Sequence, residues 1–228
     1  MARRFACTLI VAAVVLVSST PSEGGATLQL TPVNPPPTVA AYPTGTTIVG
    51  NTITIPAGPT LQVWFEIRVS GWAPSLLNAL QAEFQASSLA TGPGSDLVLY
   101  RPVCAVNSEC TSAVGAGNGS TCSPPSHPNT CSPAYVNSSK SNFVFLGASP
   151  LIAVNVQTDQ VSIAALAGSA ALSVSDLGSE YYAGTIAVDV PAGADGSYEL
   201  QFNTDPNFTL LSNNVGANIP ITTFGSGF

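Results

Sequence analysis

Between positions 60 and 71 the chain reads TLQVWFEIRVSG. Leu61, Val63, Phe65, Ile67 and Val69 alternate with Gln62, Trp64, Glu66, Arg68 and Ser70. A period of two sends each set to its own face of a pleated strand, so one face is buried. Upstream, TTIVGNTITI is a hairpin with Gly50-Asn51 at its turn. Downstream come SNFVFLG, LIAVNVQ, VSIAALAGSAALSVSD, YYAGTIAVDV, GSYELQFN and NFTLL, short runs separated by Gly, Pro, Asn and Asp. Their spacing is that of a sandwich. TLQLTPV leads into NPPPTVAAYPTG, whose prolines exclude a central strand and predict an extended lead-in.

Residues 72–89 read two ways. Trp72, Leu76, Leu80 and Phe84 recur every four positions, as on a helix. Leu80, Ala82, Phe84 and Ala86 also alternate with Gln81, Glu83, Gln85 and Ser87, as on a strand. With strands on either side, the expectation is a short helical turn over 74–78 and then a strand. No long helix is needed, and no internal repeat stands out. The pattern is all-β, a single sandwich domain.

Composition adds a compartment. Arg3 and Arg4 precede an apolar run from Phe5 to Val17, followed by small and polar residues. That is the layout of a secretory signal peptide over residues 1–26, with cleavage after Ala26 and a domain over 27–228. The run is short for a membrane span, and no later stretch supplies one. Cys7 sits early in the run and leaves with the signal. The chain has 12 acidic and 5 basic residues, a net charge of −7. Arg68, Arg101 and Lys140 are the bases beyond the signal, too few to neutralise a phosphate backbone or an anionic membrane surface. Nucleic acid is therefore excluded as a partner, and the expected location is extracellular or on the cell surface.

The other four cysteines, Cys104, Cys110, Cys122 and Cys131, lie in a polar stretch without periodicity, an insertion over about 102–141. Their spacing lacks the tight C-x2-4-C knuckles of structural zinc sites. In an exported chain two disulfides are expected instead. Three pairings are open, among them a nested one (Cys104 with Cys131, Cys110 with Cys122) and a sequential one.

TLQVWFEIRVSGWAP, then ALQAEFQASSLATGPGSDL, then YYAGTIAVDVPAGADGSYELQFNTDPNFTLLSNNVGANIPI together resemble cohesin-like modules of secreted bacterial proteins, over about 46–223. The resemblance implies a nine-stranded, two-sheet jelly-roll sandwich, Ig-like in layout and related in fold to carbohydrate-binding modules. It also implies a dockerin as partner. The chain departs from the pattern by its Cys-bearing insertion, and it carries no dockerin calcium repeat of its own.

The candidate sites divide by chemistry. Trp64 alternates to the polar side of its strand beside Glu66 and Arg68. An outward aromatic flanked by polar groups stacks on a sugar or anchors a protein, and Trp72, Tyr181 and Tyr182 are candidates to join it. The ordinary alternative is that the insertion or an edge loop covers Trp64. Glu66 and Glu83 would be a hydrolase's carboxylate pair only if their strands were neighbours. A Ser-His-Asp triad would have to use His127, the sole histidine, in a Pro-flanked loop without a G-x-S-x-G elbow. Asp189, Asp195, Glu199 and Asp205 around one hairpin are the calcium candidates, although no D-x-[DN]-x-[DN]-G loop is present. Asn118, Asn137 and Asn207 head glycosylation-type sequons. No cofactor is implied. The expectation is a non-enzymatic module binding a dockerin-like protein or a polysaccharide. The alternatives are a structural envelope or matrix component, and a glycoside hydrolase-like enzyme.

Overall fold

A computed structural model describes residues 25–33, 42–50, 52–56, 58, 61–85, 98–99, 104–114, 117, 122–123, 130–156, 160–168, 172–190, 192 and 202–225. The chain enters as β1 (Ala26–Pro32), ahead of the expected Pro-rich lead-in, of which residues 34–41 lie outside the described residues. The hairpin follows as β2 (Thr47–Val49) and β3 (Thr52–Thr54). Val49 pairs with Thr52 across the turn, where Gly50 takes a φ of 59° that suits glycine. The alternating segment is β4 (Leu61–Ser70), and the ambiguous one is β5 (Leu76–Gln85).

The helical turn expected over 74–78 is not there. The Ser75 N–H donates to the Trp72 carbonyl in a turn containing a cis Ala73-Pro74 bond, and the strand begins at Leu76. The four-residue recurrence was the outcome of a turn followed by a strand, and cross-strand pairing decided for the sheet.

β6 (Val98–Leu99) precedes the cysteine stretch. That stretch was expected to be irregular, yet it holds α1 (Asn107–Val114), β7 (Cys122–Ser123), β8 (Thr130–Cys131) and β9 (Ala134–Tyr135). Glu109 in the first turn of α1 accepts the Ala105 N–H, reaching back in the manner of a cap. SNFVFLG, expected as a strand, is a series of turns. Its Phe143 makes a single bridge to Tyr182.

The remainder matches the pattern more closely: β10 (Leu151–Val156), β11 (Gln160–Leu166), β12 (Val174–Ser175), β13 (Tyr181–Val190), β14 (Leu210–Asn213), β15 (Asn218–Ile219) and β16 (Ile221–Gly225). The strand expected over 196–203 lies outside the described residues except for Phe202 and Asn203, which are not in a strand.

Two sheets form the sandwich. The first has the order β16-β1-β4-β13, with β6 and β9 sharing the far edge of β13. The second runs β10-β11-β5-β14-β15, with β12 also on β5. Leu28, Leu30, Phe65 and Ile67 of the first sheet bury in one core with Leu80, Phe84, Ile163 and Leu211 of the second. Each such side chain contributes about 1.5–3 kcal/mol of transfer free energy. Gly184 in β13 lets the layers close: a Cβ there would stand 2.7 Å from Ile163 Cδ1. The result is an all-β, two-sheet sandwich with a disulfide-bonded cap, in line with the alternation in the sequence.

Candidate binding surface

The sandwich has two outer faces, and the chain treats them differently. On the first sheet the outward positions of β4 are Trp64, Glu66 and Arg68, as alternation predicts. Trp64, however, is fully buried. It packs with Cys104, Cys110, Cys131, Tyr135 and Ala187 in a small second core, with the Tyr135 ring edge-on at 6.2 Å. The disulfides are Cys104–Cys122 and Cys110–Cys131, which is the crossed pairing, neither nested nor sequential. The cysteine stretch therefore lies over this face as a cap, and the alternative in which the insertion covers Trp64 is the one found.

Beside the cap, Glu66 is buried and accepts from both Lys140 and Arg68. Lys140 also sits 4.6 Å from the centre of the Tyr182 ring. The Tyr182 hydroxyl bonds Thr185 Oγ at 2.9 Å and accepts the Asn137 N–H at 3.1 Å. Burial pushes the phenols of Tyr135 and Tyr182 above their ordinary value. Two of the three bases beyond the expected signal are thus spent on one carboxylate of this covered outer face. Trp72 is also buried, donating its indole N–H to the Val174 carbonyl and packing at 5.2 Å, tilted by 56°, against half-buried Tyr181. Trp64, Trp72 and Tyr182 accordingly offer no ring to solvent; each is covered by chain distant in sequence.

The remaining candidates separate. Glu66 lies in the first sheet and Glu83 in the second, so they are not neighbours across one ladder. Glu83 is buried, accepting from Asn203 Nδ2 at 2.8 Å, while its N–H donates to Thr209 Oγ. Asp189 lies in β13, and desolvation raises its carboxyl above the ordinary range. Asp205 caps its own turn by accepting from Asn207. Asp195, Glu199 and His127 lie outside the described residues. Among the described residues Cys104, Cys110 and Cys131 are the one group with ligand atoms near enough for a metal, and all three are in disulfides, so no thiolate remains to bind one.

Among the described residues, the outer face of the second sheet is the more open one. Register places its outward side chains in rows. Leu151, Leu166, Ala79 and Ser212 form one row; Ala153, Ala164, Gln81 and Leu210 form the next. A third row begins with Asn155 and Ser162 and ends at Glu83, under the 203–209 loop. Leu151 is 70% exposed and Leu166 44%. The strands β5, β10, β11 and β14 hold one charged residue between them, the covered Glu83. This face carried no aromatic or charged signal, so sequence reasoning passed over it; small outward residues opposite a strict inward alternation were the trace it left. A hollow of about 140 Å³ lies at the β14–β15 end, and its lining holds no titratable side chain.

No family model matches the chain, and no curated protein matches it in sequence. Among solved structures it is similar to a non-cellulosomal cohesin from Archaeoglobus fulgidus, with 8% identity over 89% of each chain and a TM-score of 0.38. It is also similar to the sixth cohesin of scaffoldin B from Acetivibrio cellulolyticus, solved in complex with a dockerin, with 9% identity over 89% of this chain and 97% of that one and a TM-score of 0.42. A third similar structure is a type III cohesin module from the ScaE cell-surface anchoring scaffoldin of Ruminococcus flavefaciens, with 13% identity over 90% and 86% and a TM-score of 0.40. Among the described residues no helix is long and apolar enough to cross a membrane.

Proposed function

We propose that the protein is a secreted, non-enzymatic module that docks another protein, of the dockerin kind, on the outer face of its second sheet. One observation carries the reading: the cap occupies the outer face of the first sheet, while the second keeps a regular, almost uncharged face with Leu151 and Leu166 exposed. Depletion of charge at the centre of a patch is the compositional mark of a protein interface. A flat sheet without a concave polar centre suits docking better than turnover. Sugar stacking is disfavoured, because Trp64, Trp72 and Tyr182 are buried and Tyr181 is half-buried against Trp72.

The test is a binding screen of the purified protein against dockerin-type modules and polysaccharides by calorimetry. Ala164→Arg and Leu166→Asp, at outward positions of the open face, are expected to weaken a protein partner by at least about tenfold, as unpaired charge in an interface core does. Thr27→Lys, on the first sheet, is expected to leave binding unchanged. Equal affinity for all three variants would refute the assignment of the face.

A further inference from the structure

The second sheet ends at β10, and among the described residues nothing pairs with the outer edge of that strand. Its six residues, LIAVNV, hold no charge and no proline. The register with β11 runs without a bulge from Leu151↔Leu166 to Val156↔Val161. Charges, prolines and bulges are the devices that keep edge strands from pairing, and β10 has none of them. The other edge strands are shorter: β6, β9 and β15 have two residues each and β16 has five.

The core is also unfinished at this edge. Ile152 and Val154 point inward but are only half-buried, whereas Ile163 and Ala165 on the adjoining strand are fully covered. Leu146, Leu151 and Leu166 stand exposed around the start of the strand.

We propose that β10 is a self-pairing edge: two copies of the chain join β10 to β10, antiparallel, about a two-fold axis at Ala153. An axis perpendicular to the sheet keeps outer face with outer face, so only residues of like parity stand opposite one another. Ala153 then faces the partner's Ala153, and Leu151 faces the partner's Asn155. On the inner side Ile152 faces the partner's Val154, which covers the half-buried pair. A second copy fits this edge because the pairing is self-complementary and sets no charge against charge, although the chain as a whole is acidic. A charged peptide would find no counter-charge there. The two second sheets become one continuous sheet, and their open faces lie side by side. The pairing holds whether or not that face docks another protein.

Sedimentation velocity and light scattering of the whole protein test it. The expected result is a dimer of about twice the monomer mass in the high micromolar range. Ala153→Lys sets two ammonium groups opposite each other on an exposed position, so it should weaken the dimer by at least about tenfold while leaving the far-UV circular dichroism unchanged. Ala153→Cys should yield a covalent dimer on mild oxidation, because this register brings the two side chains together. A monomeric wild-type protein would overturn the proposal, as would a dimer that survives Ala153→Lys intact. So would a monomer that takes up extended peptides at this edge.

Discussion

Trp64 and Glu66 stand two residues apart on one face of β4, and both are buried where solvent would be expected. Alternation reads correctly which face a side chain takes, but not whether that face is covered. The covering residues, Cys104, Tyr135 and Lys140, lie 40 to 76 positions away. The phenols make this visible in solution. Burial raises Tyr42 to about 12, and Tyr135 and Tyr182 are raised from 10.0 as well. A folded value above the unfolded one means that the stabilisation is fully present below pH 10. It is lost as pH rises through the folded value, because the unfolded chain gives up its proton first. Unfolding at alkaline pH is therefore expected to coincide with ionisation of these three phenols, followed by absorbance at 295 nm. Free titration of all six tyrosines near pH 10 in the folded protein would contradict their burial.

At the scale of elements the cap is the instructive case. Its composition is polar and rich in Gly and Ser, with little apolar material of its own. Two crossed disulfides closing separations of 18 and 21 residues supply what that core lacks, on the order of 3 kcal/mol each in the chain-entropy model. Cysteine spacing made the staples legible, but three pairings satisfy the same spacing, and only the fold chooses the crossed one. Because Trp64 packs on three of these cysteines, reduction should raise and red-shift its fluorescence. Trp72→Phe would isolate the signal. The strand signal in circular dichroism is expected to persist, since the main core contains no cysteine. Unchanged Trp64 emission after full reduction would show that the staples do not hold the cap on this face.

Across the whole molecule, residues far apart in the chain close the first sheet. β1 lies between β4 and β16, parallel to the latter. Ala26 is fully buried and its N–H donates to the Pro220 carbonyl at 2.8 Å. A chain beginning at Thr27 forfeits that hydrogen bond and methyl burial and places a charged amine at the strand end. It should be less stable than one beginning at Gly25 by about 1–2 kcal/mol. Thermal unfolding of the two purified forms measures this, and equal midpoints would show that Ala26 contributes nothing.

The sequence alone determined the β class, the core-facing side of β4, the Gly50 turn and the presence of staples. These are local properties, written in a period of two, in backbone φ and in cysteine count. The tertiary structure decided which outer face is covered, which cysteines pair, and how residues 72–85 resolve into a turn and a strand. Each of those depends on chain brought together over long separations, where side-chain pattern carries no information and packing alone selects the partner.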